Sequence, residues 1–239
     1  MSIESVAVIL VNYNTEGYIH DNIDILDETF DEVIIVDNSE NYSPISKEVV
    51  LRYGNVGFGV GCNLGARFAS SDRLLFLNPD FHLDRNGLAA FISAACQLSP
   101  SSLYVPLANN GYWDLTLDDA FIKRISRTAH GQLTRVNFLS GCCFFSDRHL
   151  FLAEGGFDNS IFMYCEDLEL SLRLKNLKIK LFLLPFNVGT HVGGGSFQSV
   201  SAKVHRLWLS FTAHRKVLAR FKTEPLLTIN SIYLALGIR

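Results

Sequence analysis

Compact apolar runs alternate with amphipathic stretches along the N-terminal part of the chain, the pattern of strands and helices laid down in turn. Val6 to Val11 (VAVILV) is apolar and mostly β-branched and ends in Asn12-Tyr13-Asn14-Thr15, which predicts a buried strand with polar groups at its tip. A helix is expected next. Asn14 or Thr15 can cap it, and Ile19, Ile23, Leu26 and Phe30 recur at spacings of three and four. Val33 to Val36 (VIIV) then repeats the strand pattern and ends in Asp37-Asn38-Ser39, completing a parallel strand-helix-strand unit. Leu74 to Asp80 (LLFLNPD) has the uninterrupted apolar character of a strand buried on both faces, and it delivers Asp80 to a surface.

The stretch Asn55 to Gly65 (NVGFGVGCNLG) holds four glycines and two asparagines in eleven residues. Such density predicts a loop that contacts a phosphate or sugar, with a helix continuing behind it from Ala66 to Ala69. It is neither a Walker A loop nor a G-x-G-x-x-G turn. Asp84 to Ser99 reads as a capped helix burying Leu88, Phe91, Ile92 and Ala95. Tyr104 to Arg135 mixes aromatic and polar residues without a period and is expected to be loop-rich. A strand is expected from Val136 to Phe145 around Ser140-Gly141, then a helix capped by Ser146 and closed at Gly155-Gly156. In Phe157 to Lys175, Leu168, Leu170, Leu172 and Leu174 alternate as in a strand, but Glu, Leu, Arg and Lys favour helix and none is β-branched. Helix is the expectation. Lys180 to Leu184 reads as a last short strand stopped by Pro185, followed by a glycine-rich loop that carries His191.

Composition bounds the class without naming it. With 239 residues, 48% hydrophobic and 19% charged, the chain has ample material for a core and is not disordered. A formal net charge of -3 supplies no global basic field for nucleic acid. Five cysteines without a CxxC pair suit a reduced, cytoplasmic setting, and the short N-terminal apolar run suits neither a signal peptide nor a spanning helix. Between Lys203 and Lys222, six basic and no acidic residues interleave with Leu, Trp, Phe and Val. That is an amphipathic basic helix, suited either to an anionic membrane surface at the inner face of the plasma membrane or to packing on the domain. The expected division is 1–200 for an α/β domain with a mostly parallel sheet flanked by helices, and 201–239 for a C-terminal helical appendage.

Candidate chemistry gathers where strands are expected to end. Asp80 can hold a hard divalent cation against a substrate phosphate, though Asn78-Pro79-Asp80 is also ordinary turn chemistry. Asp37 can accept from a nucleobase N–H or a ribose hydroxyl, or cap its own loop. Glu166 and Asp167 open a helix behind the aromatic run Phe162-Met163-Tyr164, where apolar surroundings raise basicity and the helix N-terminus lowers it. One of them is a candidate general base, and an acidic first turn is the plainer alternative.

Taken in order, VILVNYN, IIVDNS, NVGFGVGCNLG, LLFLNPD, SGCCFF, GGFDNSIFMYCEDLELSLRL and HVGGGS resemble the motifs of the family 2 glycosyltransferases with the GT-A fold, nearest to their bacterial rhamnosyltransferase-like branch. The resemblance covers roughly residues 5 to 200. It implies a Rossmann-like GT-A sheet and inverting transfer of a sugar, rhamnose from dTDP-rhamnose in that branch, to a hydroxyl of a lipid-linked oligosaccharide or polysaccharide in cell-surface glycan, assisted by Mg²⁺ or Mn²⁺. Within it, Asp80 and His191 match the metal ligands. Asn12, Asn14, Asp37, Asn38, Gly57, Gly59, Asn63 and Asn78 fall at donor-contacting positions, and Asp167, beside Glu166, matches the base. Asn78 replaces a charged first ligand, Cys62 stands where Asn is frequent, and Glu169 replaces a common Asp. The neutral Asn78 keeps a non-catalytic module that binds nucleotide-sugar or glycan as the alternative. Nucleotidyl transfer is a weaker third, because only Arg67 and Arg73 lie near the glycine stretch to meet a triphosphate.

Overall fold

A computed structural model describes residues 4–109 and 133–193, together with helical positions 209, 211–213, 215–217 and 219–221. Strand β1 (Val6–Asn12) is buried at every position, and α1 (Glu16–Thr29) turns Ile19, Ile23 and Leu26 inward after it. β2 (Glu32–Asp37) pairs parallel with β1, and β3 (Val49–Arg52) pairs parallel with β2. Helix α2 (Phe58–Phe68) returns the chain to β4 (Arg73–Leu77), which lies parallel on the other side of β1. The chain continues through β5 (Phe81–Leu83), α3 (Arg85–Cys96), β6 (Ser102–Asn109), β7 (Thr134–Val136), β8 (Cys143–Asp147), α4 (Arg148–Ala153), α5 (Glu166–Asn176) and β9 (Lys180–His191).

The strands form one sheet in the order β3-β2-β1-β4-β8-β6-β9-β5, with β7 on β9. β8 runs antiparallel to both β4 and β6, and β9 runs parallel to β6, so β1, β2, β3, β4, β6 and β9 all point the same way. This is the mostly parallel α/β sheet expected, with β8 reversed in its middle. The carboxyl ends of the parallel strands therefore lie along one edge, where crevices of such sheets form.

Several local expectations change in three dimensions. The glycine stretch is helix from Phe58 onward, not loop. Among its four glycines, Gly57 alone takes a left-handed φ, of 85°, while the others let α2 press on the sheet and its neighbours. A Cβ on Gly65 would stand 2.6 Å from Ile9, one on Gly61 3.0 Å from Val11, and one on Gly59 2.9 Å from Phe157. Close helix–strand packing explains the composition that loop chemistry seemed to demand.

Tyr104 to Asn109 belongs to strand β6, Thr134 and Arg135 begin β7, and residues 110–132 lie outside the described residues. Pro185 does not stop β9. The β6–β9 register shifts between Val105 and Leu107, which pair with Leu183 and Asn187, so Pro106 and Pro185 both fall in the irregularity, where no regular ladder donor is needed. Ser140-Gly141 lie in the turn between β7 and β8 rather than in a strand. The cap of α4 is Asp147, which accepts from Leu150 N at 2.8 Å, while Ser146 is buried in β8.

The alternating leucines of α5 answer to two partners. Leu170 and Leu174, one turn apart, join the main core; Leu168 and Leu172, also one turn apart, join a second cluster with Ile161, Ala213 and Val217. A helix buried on two faces reads in sequence like a strand. The described part of the basic helix thus spends its apolar stripe, Leu209, Ala213 and Val217, on the domain, leaving Arg215, Lys216 and Arg220 exposed. No described helix is long and apolar enough to cross a membrane, and the five cysteines are free thiols.

Candidate active site

Asp80 leaves the end of β4, and β5 immediately turns back to pair with the end of β9, setting Phe81 opposite His191. That pairing brings His191 Nε2 within 3.0 Å of Asp80 Oδ1 and 3.3 Å of Asn78 Nδ2. His191 is thus fixed by a strand end rather than by a glycine-rich loop. The arrangement is anchored from below by Asn22 of α1. Its Nδ2 donates to Phe81 O at 2.6 Å, and its Oδ1 accepts from Leu83 N at 3.1 Å. Asn22 escaped the sequence reading, although a polar residue beside the buried stripe of an amphipathic helix was the available signal.

Asp167 lies in the first turn of α5, and its Oδ2 accepts from Gly141 N at 3.1 Å. The next residue, Cys142, accepts through its carbonyl from Asn78 N at 2.8 Å. A continuous chain of contacts therefore runs from Asp167 through Gly141, Cys142 and Asn78 to His191 and Asp80. All three candidate chemical groups are thereby linked at the carboxyl-terminal end of β4 through the Gly141-Cys142 turn. Burial pushes the Asp167 carboxyl above its ordinary value despite the lowering effect of the Gly141 and Leu168 N–H groups. A carboxylate held this way is more basic than an exposed one.

Glu166 is oriented differently. Its side chain packs beside Gly59 of α2, it is 8% exposed, and its Oε2 has no hydrogen-bond partner among the described residues. Burial first, and then the neighbouring Asp167, pushes its carboxyl up to about 8. Glu166 is a buried acid next to Asp167 in the chain, with its side chain against α2.

The donor-side candidates divide in the same way. Asn12 Nδ2 donates to Asp37 Oδ1 at 2.9 Å and to Ser39 Oγ at 3.0 Å, while its Oδ1 accepts from Thr15 N and Oγ1. Asp37 Oδ2 accepts from Tyr42 N at 2.8 Å, and both Asn12 and Asp37 are 0% exposed. These two residues lock the loops to each other and present no surface to a ligand. Asn63 is likewise occupied, bonding Phe157 O and N at 2.8 and 2.9 Å and Asn159 at 2.8 Å. Gly59 sits inside α2 against Phe157. Asn14 is exposed and takes φ of 56°, and Gly57 caps α2 by close approach to Phe162. Asn38 differs from the rest: Nδ2 donates to Gly57 O at 3.1 Å, but the buried Oδ1 has no partner among the described residues. An orphaned acceptor at a strand tip is what a ligand N–H would satisfy.

Arg73 starts β4, at the end of the strand away from Asp80, where it pairs with Glu4 at 2.6 Å, and Arg67 lies in the last turn of α2, far from Gly57. Neither serves a triphosphate at this edge. Residues 7–152 match the family described as Glycosyl transferase family 2. The chain belongs to that family. A rhamnosyltransferase, WbbL of Escherichia coli K12, is 27% identical over 246 aligned positions, covering 87% of this chain and 90% of that protein. Glucosyl-3-phosphoglycerate synthase from Mycobacterium tuberculosis, solved with Mn²⁺ and UDP, superposes with a TM-score of 0.64 at 15% identity over 92% of this chain and 81% of that one. The mannosyltransferase PcManGT of Pyrobaculum calidifontis, in complex with GDP-Man and Mn²⁺, gives 0.62 at 15% identity, covering 98% and 72%. GalNAc-T7 with UDP, GalNAc and Mn²⁺ gives 0.61 at 18% identity over 86% of this chain, which spans about half (48%) of that protein.

Those solved structures of similar fold hold Mn²⁺, and the donor set here can be tested against such an ion. Asp80 offers a hard carboxylate oxygen and His191 an imidazole nitrogen at one point, with an amide from Asn78 alongside. Two protein ligands with phosphate oxygens completing the shell suit Mg²⁺ or Mn²⁺, which keep most of their sites for substrate and water. Among the described residues no cluster of three or more His, Cys, Asp or Glu exists. Asp80, His191 and Asn78 fit a divalent cation that keeps open positions.

Proposed function

We propose that this family 2 glycosyltransferase is an inverting enzyme that moves a sugar from a nucleoside diphosphate donor to an acceptor hydroxyl. The observation that carries this reading is the chain of contacts linking Asp167 to Asp80 and His191 across Gly141, Cys142 and Asn78. Displacement at an anomeric carbon requires the acceptor oxygen to lose its proton on one side and a diphosphate to leave on the other. Asp167, with its carboxyl raised by burial and oriented by Gly141 N, takes the acceptor proton on Oδ1 or Oδ2. Asp80 and His191, with Asn78, hold Mg²⁺ or Mn²⁺, which when bound neutralises the charge of the leaving diphosphate. Asn38 Oδ1 accepts from the nucleobase, inside a wall stiffened by Asn12, Asp37 and Ser39. No covalent intermediate is needed.

The donor is dTDP-rhamnose and the acceptor a lipid-linked oligosaccharide or polysaccharide of the cell surface. The E. coli rhamnosyltransferase, alike along most of both chains, supports that choice. The test is Asp167→Asn, which keeps the shape and one of the two backbone hydrogen bonds, from Gly141 N or Leu168 N, but not the basicity. Transfer should fall by roughly 10²- to 10⁴-fold while donor-induced thermal stabilisation persists. Transfer at more than about a tenth of the native rate would put the base elsewhere. A melting shift with dTDP-rhamnose, absent with UDP- and GDP-sugars, checks the donor.

A further inference from the structure

Tyr164 and Cys165, the two residues before α5, both take left-handed backbone conformations, with φ of 67° and 61°. Neither is glycine, and such a turn persists only where its surroundings over-determine it. The turn decides where Asp167 points, because Cys165 is the N-cap of the helix that carries it. On the inner side, the segment leading into it is held by Asn63 on Phe157 and by Phe58 N donating to Phe162 O at 3.2 Å. The outer side is held by the basic helix. Ala213 and Val217 pack on Ile161 and Leu168, with Cys165, Leu172 and Phe221 around them, and the Lys216 ammonium donates to Ser160 O.

The central contact belongs to Arg220, whose Nη1 lies 2.8 Å from Asp158 Oδ2 and 3.1 Å from Glu169 Oε1. Asp158 precedes the strained turn and Glu169 follows it, so one guanidinium bridges the two sides. Glu169 is 1% exposed and is also met by Arg173 Nε at 3.0 Å; the Arg173 guanidinium in turn donates to Glu154 O and Gly156 O. The buried Glu169 carboxylate is thus shared by two arginines, Arg173 from its own helix and the half-exposed Arg220 from the basic helix. We propose that Arg220 is a positioning residue for the transfer reaction, stapling the Asp158–Glu169 segment so that Asp167 faces the acceptor, and that the basic helix is part of the active centre. This rests on the reading of Asp167 as the general base.

The consequence is specific to turnover. Misplacing a catalytic group by an ångström from a distance slows reaction by up to about 10²-fold. Asp80 and His191 have supports of their own, the β5–β9 pairing, Asn22 and Asn78. In the full chain, Arg220→Gln should lower kcat about 10- to 100-fold while leaving the donor-induced melting shift, with and without Mn²⁺, at its native size. Arg220→Lys should recover most of the rate. Asp158→Asn should slow transfer as well, and the double variant should fall no further than Arg220→Gln, since both cut one bridge. Amide hydrogen exchange should quicken across 158–168 in Arg220→Gln and stay native in β1 and β2. Native turnover in Arg220→Gln overturns the proposal, and so does equal loss of turnover and donor binding, which marks general loosening. If Asp167→Asn transfers at the native rate, the functional reading has failed instead; if it is dead and Arg220→Gln is native, only the staple has.

Discussion

The two walls of this crevice are held by different means. The donor wall, formed by the tips of β1 and β2, is fixed by short-range hydrogen bonds among Asn12, Thr15, Asp37, Ser39 and Tyr42, all from consecutive elements of one parallel unit. The base wall is assembled from parts distant in the chain. Asp167 is oriented by Gly141, Leu139 N donates to Ser171 Oγ at 2.9 Å, and the segment before Asp167 is held by Asn63 on one side and Arg220 on the other. A nucleotide can therefore be met by a preformed surface, whereas the base depends on the integrity of long-range packing. Affinity and rate should be separable by mutation.

The largest test of that separation is on the metal side. Asp80→Ala should weaken donor binding in Mn²⁺ by more than about tenfold and abolish the difference between metal and chelator, as read by titration of the donor-induced melting shift. Unchanged affinity in both conditions would remove Asp80 from the ligands.

Asn63→Ala sits between the walls and should act on stability. It strips partners from the backbone N–H and C=O of Phe157, at about 1–3 kcal/mol for each group left unsatisfied, and should lower the denaturation midpoint accordingly. Because Asn63 joins α2 to the segment leading to Asp167, its loss should reduce turnover more than donor binding. An equal loss of both would erase the contrast between the walls.

The smallest effect concerns Glu166. Its carboxyl is raised from 4.5 to about 8, mainly by burial, so the native state holds a proton that the unfolded chain has released across that interval. The stability it contributes is complete below the unfolded value and is lost as pH rises through about 8. Glu166→Gln, neutral at every pH, should flatten that decline. Melting temperatures of the native chain and the variant should converge toward acid and separate toward alkali, with the variant higher; parallel curves would mean that Glu166 does not titrate in this window.

Strands β1, β2 and β4 and helices α1 and α3 were legible because their periodicity depends on one buried face or two, and sequence records that directly. The misleading places share one cause. Gly59, Gly61 and Gly65 looked like a ligand loop because composition reports backbone freedom but not whether it serves a phosphate or a neighbouring strand. Pro185 looked like a terminator because the matching irregularity at Pro106 is visible only when β6 and β9 are paired. Asp37 read either as a ligand contact or as a cap of its own loop, and only the fold brings Asn12 to it beside the loop donors Ser39 and Tyr42.

The sequence by itself determined the alternation of parallel strands and helices and the carboxylates and histidine at their ends, since burial pattern and residue chemistry are local properties. Only the tertiary structure decided which of those groups share an edge. Hydrogen bonds and ion pairs couple residues by distance in space, so the link from Asp167 to Asp80 and His191, the withdrawal of Glu166 into the core and the bridge made by Arg220 exist only once β8 has entered the sheet and the basic helix has docked on α5.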